Sequence, residues 1–140
     1  MRDRRAPLVA VLIWSVVSLV FGASAQTPAA PRRGGNPEAA KRTNPVAASP
    51  ESIAAGRRSY NQFCANCHGS TGRGDGSGGA AGAPPADLTD ASWDYGSTDG
   101  EIYGVIHDGT STEMGSYAER LKDTDIWNIV NYVRTLAVKK

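Results

Sequence analysis

The run Cys64-Ala65-Asn66-Cys67-His68 constrains this chain more than any other part of it. C-x-x-C-H is the attachment signature of a c-type haem. Two thiols add to the two vinyl groups of the haem, and the imidazole that follows sits against the iron. Where such a run ends a helix, positions three and four apart share a face, so Cys64, Cys67 and His68 point at one flat group. Other readings of the two cysteines fit less well. A structural zinc site takes four ligands, usually from two separated pairs, and the second pair is missing. A thioredoxin-like C-x-x-C needs a βαβ pattern around it, and none is present. A plain disulfide is the remaining alternative in an exported chain.

Export is itself legible. Arg2, Arg4 and Arg5 precede an apolar run from Leu8 to Gly22, and Ala23-Ser24-Ala25 offers a small-residue cleavage site before Gln26. Residues 1–25 read as a secretory signal peptide. The apolar run is short for a membrane span of ~20 residues, so no span is expected after cleavage. Haem thioethers are made outside the bacterial cytoplasm, which points to the periplasm. Residues 26–49 hold Pro28, Pro31, Pro37 and Pro45 and almost no large apolar side chain. They read as a disordered tether, dispensable for folding. The folded domain is then 50–140.

That domain carries eight lysines and arginines against twelve aspartates and glutamates, a net of −4. Nucleic acid is excluded as a partner, because phosphate binding needs a basic face. A domain this small is marginal on its own and needs a staple, a role that a covalently held plate can fill.

Helix signals are strong around the motif. Ser49-Pro50-Glu51 supplies a cap, a proline for the first helical position and an acid for the dipole. Ile53, Gly56, Tyr60, Phe63, Cys64 and Cys67 follow at helical spacing. Gly56 is costly inside a helix, and its expected use is close approach by another helix. Gly69 to Gly82 is glycine-rich loop. Within it, Gly74–Gly79 matches G-x-G-x-x-G but lacks the strand and helix that such a motif needs. A proline carbonyl at Pro84-Pro85 is expected to accept the Nδ1 proton of His68. Thr98-Asp99-Gly100-Glu101 is a capping box, and Gly109 closes that helix. Asp123 is expected to cap a last helix whose stripe is Ile126, Ile129, Val130, Val133, Leu136 and Ala137. No strand is predicted, so the class is all-α. Two side chains can reach the far side of an iron held by His68. They are Met114, flanked by Gly115 and Ser116, and His107, in the last turn of the middle helix.

The order helix, C-x-x-C-H, glycine-rich loop, middle helix, loop methionine and C-terminal helix resembles the class I c-type cytochromes from about Pro50 to Ala137. Gly56, Tyr60 and Tyr132 match the glycine and aromatics at the family's crossing of first and last helices. Gly72-Arg73-Gly74-Asp75-Gly76, Pro85-Ala86-Asp87-Leu88-Thr89-Asp90 and Asp99-Gly100-Glu101-Ile102-Tyr103 are similar to the branch serving terminal oxidases and periplasmic dehydrogenases. The resemblance implies a cytochrome c fold, three to five helices wrapped around one haem c attached through Cys64 and Cys67. It also implies axial ligation of the iron by His68 and Met114. The family often has proline after the methionine; here Gly115 stands there, which implies a less stiff loop.

The expected function is that of a monomeric one-electron carrier of the periplasm, not an enzyme, docking briefly on a dehydrogenase, oxidase or bc-type complex. The alternatives are a cytochrome subunit of such a complex, or a haem sensor with a labile sixth ligand.

Overall fold

The computed structural model describes residues 31, 33–79 and 84–137. The signal peptide expected at 1–25 lies outside them. Five helices and no strand occur among the described residues: α1 (Pro37–Ala40), α2 (Pro50–Phe63), α3 (Ala65–His68), α4 (Asp99–Asp108) and α5 (Asp123–Leu136). None of these helices is long and apolar enough to cross a membrane.

The helix starts follow from local chemistry. Ser49 Oγ accepts from Ser52 N at 3.2 Å, with Pro50 at the first helical position. Thr98 and Glu101 exchange both bonds of the capping box. The start of α5 differs from expectation. Lys122 is the N-cap and Asp123 is already helical. The Asp125 carboxylate turns back to accept from Lys122 N at 3.3 Å. Asp123 is engaged elsewhere, accepting from Tyr103 Oη at 2.7 Å.

The core forms where α2 crosses α5 and α4 packs beside it. Tyr60, Ile126, Ile129 and Val130 are its fully buried side chains, and Tyr60 lies 5.2 Å from Tyr132, ring centre to ring centre. Gly56 sits at the crossing: a Cβ there would meet the Asn128 carbonyl of α5. Tyr103 stacks on Trp127 at 4.2 Å between α4 and α5.

The segment expected as a free tether is instead packed from Arg33 to Ser49. Gly34 N donates to Asp94 O at 2.7 Å. Asn36, buried, caps α1 with its side chain, and its N–H donates to Glu101 Oε1 at 2.9 Å. Ala39 is buried against α4. Asn44 Nδ2 donates to Asn131 Oδ1 at 2.8 Å, and Asn131 Nδ2 reaches the Val46 carbonyl and Ser52 Oγ. The segment has few apolar side chains, so it docks by hydrogen bonding rather than by an apolar stripe. It forms a strap from α4 to α5.

Glu101 joins the strap to the cap of α4. Burial alone would push its carboxyl up. Donation from Thr98 N, Asn36 N and the Thr98 hydroxyl outweighs this and holds it below the ordinary 4.5. The unfolded chain therefore binds that proton more tightly than the folded chain. The contribution is complete above the ordinary value and is lost as pH falls through the folded one. Melting temperatures recorded from pH 7 downward should show a loss beginning near pH 4.5 that Glu101→Gln flattens. At pH 7 that substitution should cost about 1–2 kcal/mol.

Candidate haem-attachment site

Phe63 ends α2, Cys64 makes the corner, and α3 carries Cys67 and His68. Cys67 N and His68 N both donate to the Cys64 carbonyl, at 3.1 and 2.9 Å. One turn of backbone thus delivers both thiols and the imidazole, as the spacing predicts. Both cysteines are free and half-buried. Burial pushes the Cys64 thiol up to about 12; Cys67 adds to this, and the Arg120 charge opposes it. No group of three potential metal ligands gathers among the described residues.

The glycine-rich loop completes the corner. A helix end leaves carbonyls without intrahelical donors. Here Gly78 N, Gly76 N and Gly74 N donate in turn to the carbonyls of Asn66, Cys67 and His68, at 2.8, 3.1 and 2.9 Å. Gly74 has φ +74°, and a Cβ there would meet the Pro85 carbonyl, so the loop closes on the Pro85-Ala86 segment at that point.

His68 Nδ1 lies 3.0 Å from the Ala86 carbonyl oxygen. A carbonyl only accepts, so Nδ1 carries the proton and Nε2 is the nitrogen left to bind a metal. The acceptor is not one of the two prolines. The Pro85 carbonyl is turned against Gly74, and the next carbonyl in the chain faces the imidazole. With two thiols, one oriented imidazole and a loop closed around them, the residues present fit a covalently attached haem.

Met114 lies on a separate loop. Its carbonyl accepts from Thr110 N at 2.8 Å, and its N–H donates to Ser111 Oγ at 3.2 Å. On its far side Tyr117 N donates back to the end of α4, and Tyr117 Oη donates to the Phe63 carbonyl at 3.0 Å. The loop that carries Met114 is thereby stitched to the corner that carries Cys64, even with Gly115 in place of a proline. His107 is placed elsewhere. Its ring stacks on Tyr103 at 5.4 Å, its Nδ1 lies 2.6 Å from Asp108 Oδ1, and it lines a surface cleft with Lys41, Arg42 and Trp127. The residue-level reading missed the Ala86 carbonyl and Arg120. A main-chain acceptor carries no residue signature, and the seat of an arginine on two rings exists only in the fold.

An all-α frame that presents two thiols and an oriented imidazole from one turn defines a c-type haem protein. A family model described as Cytochrome c matches residues 53–137. The chain is 34% identical over 95 residues to the Cbb3-type cytochrome c oxidase subunit CcoP of Azospirillum sp. (strain B510), covering 66% of this chain and 31% of that protein. It therefore spans about a third of that relative's length. A chain of the Kuenenia stuttgartiensis reducing HAO-like protein complex Kustc0457/Kustc0458 superposes with a TM-score of 0.61 at 31% identity, over 67% of this chain and 47% of that one. Cytochrome cL of the marine methylotroph Methylophaga aminisulfidivorans MPT superposes at 0.55 and 24% identity, over 74% and 60%, a likeness of fold. This chain belongs to the cytochrome c family, and it carries haem c through Cys64 and Cys67.

Proposed function

We propose that this chain is a one-electron carrier of the periplasm whose haem iron is held between His68 and Met114. The observation that carries this reading is the bond of His68 Nδ1 to Ala86 O, which presents Nε2 as the metal-binding nitrogen. When bound, the haem supplies a ferrous/ferric couple. The chain's residues do the rest. Cys64 and Cys67 would hold the haem covalently, Ala86 O holds the imidazole's tautomer and orientation, and Met114 would supply a soft thioether as the second ligand. Histidine–methionine ligation raises the potential. Were His68 and Met114 both to hold the iron, no open position would remain for a substrate, which supports a carrier and not an enzyme. The signal-peptide pattern before Gln26 supports the location. Docking on redox partners is small and short-lived for a free monomeric carrier.

Met114→Ala should open the reduced protein to carbon monoxide at neutral pH and lower the midpoint potential, while His107→Ala changes neither. The reverse pattern assigns the sixth position to His107. A second reading, a cytochrome subunit of an oxidase or dehydrogenase complex, draws support from the two relatives named as oxidase subunit and HAO-like complex. Co-purification of a tagged chain with other subunits decides between the two.

A further inference from the structure

Among the described residues, three lysines and arginines stand in ion pairs: Arg33 with Asp94, Lys41 with Glu38 and Arg134 with Asp99. Arg120 is set apart by sitting over two aromatic rings. No carboxylate lies within ion-pair distance of it among the described residues, and its guanidinium is seated over the rings of Phe63, at 5.3 Å, and Tyr117, at 4.9 Å. The seat is rigid. The two rings meet edge to face at 6.4 Å, Tyr117 Oη is tied to the Phe63 carbonyl, and Arg120 N donates to the Tyr117 carbonyl at 2.9 Å. Leu121, the next residue, is buried. Phe63 is the immediate neighbour of Cys64, so this clamped charge stands at the corner where the haem is attached.

We propose that Arg120 is a positioning residue for the redox couple: its fixed positive charge, held by Phe63 and Tyr117 beside Cys64, biases the iron toward the ferrous state. The inference rests on haem attachment at Cys64. Taking up one electron removes one unit of positive charge from the iron site. A neighbouring cation therefore destabilises the ferric state more than the ferrous state and raises the midpoint. Arg120 is exposed, so solvent and salt screen part of its charge, but its seat holds the charge at one place beside the corner, which a freely moving lysine or arginine does not. Arginine stacked on aromatic faces keeps its position and stays charged at every accessible pH.

The test is a mediated redox titration of the full-length holoprotein. Arg120→Gln should lower the midpoint, so that the ferrous-to-ferric ratio at a fixed applied potential falls about three- to tenfold. Arg120→Lys should restore part of the loss. Arg120→Glu should lower the ratio further, by roughly twice the Gln change on a logarithmic scale. Arg120→Met keeps an apolar stem on the rings while removing the charge, and it should match Gln, with haem spectra and melting temperature retained. All these differences should shrink as salt is added. A wild-type midpoint in both Gln and Met overturns the proposal. So does an equal fall in Lys and Met, which would assign the effect to ring packing. Wild-type protein that shows no haem spectrum overturns the haem reading and this inference together.

Discussion

Gly56→Ala should destabilise the domain by more than about 3 kcal/mol, and Gly56→Val should prevent accumulation of folded holoprotein. Helix propensity alone predicts the opposite sign for alanine, a gain of ~1 kcal/mol. Packing decides the outcome. The atom that a new Cβ would meet is the main-chain carbonyl of Asn128, with Ile129 N 3.0 Å away, and main chain in mid-helix cannot swing aside as a side chain can. α2 and α5 would have to separate, and the contact between Tyr60 and Tyr132 would open with them. Thermal melting of the haem-loaded protein reads the effect. A higher melting temperature in Gly56→Ala would show that the crossing is looser than described.

Removing the strap should also weaken the protein strongly. A chain starting at Ala48 loses the Asn36 contact to Glu101, the Asn44 contact to Asn131 and the Val46 carbonyl on which Asn131 relies. At about 1 kcal/mol for each ordinary hydrogen bond, and more for one to a carboxylate, the loss is roughly 2–4 kcal/mol. For a domain of this size that lowers the melting temperature by upwards of ~10 °C. Asn44→Ala should reproduce part of it. An unchanged melting temperature in the shortened chain would restore the tether reading that composition suggests.

The strap marks the boundary of what residue patterns disclose. α2, α4 and α5 were legible because each has a chemical start signal and an apolar stripe at helical spacing, and the thiols and imidazole of the corner because their spacing has a specific chemistry. The strap has neither. It holds on through asparagine amides and main-chain N–H groups, which appear in a sequence as ordinary loop composition. Asn131 shows the same effect from the other side. It reads as a polar position beside the α5 stripe, yet it is buried, at 5% exposure, because strap carbonyls and Ser52 satisfy its amide. Asp123 was misplaced because an aspartate at a helix start is a plausible cap, and only the fold brings Tyr103 Oη to it. Met114 stood out from His107 by its loop position beside Gly115 and Ser116, against a place in the last turn of a helix, and by likeness to a family.

The acceptor that orients His68 is a peptide oxygen, so the instruction for aiming the imidazole is written in the path of the chain and not in a side chain. Residue 86 can change its side chain without deleting that instruction. Gly74 cannot change so freely, because the segment carrying the oxygen rests against the space its missing Cβ would take. The vulnerability of the imidazole's aim is thus displaced twelve residues upstream, to a glycine that meets His68 only through its main chain, where Gly74 N donates to the His68 carbonyl. A search for mutations that loosen the haem without altering any atom bound to it would do well to begin there.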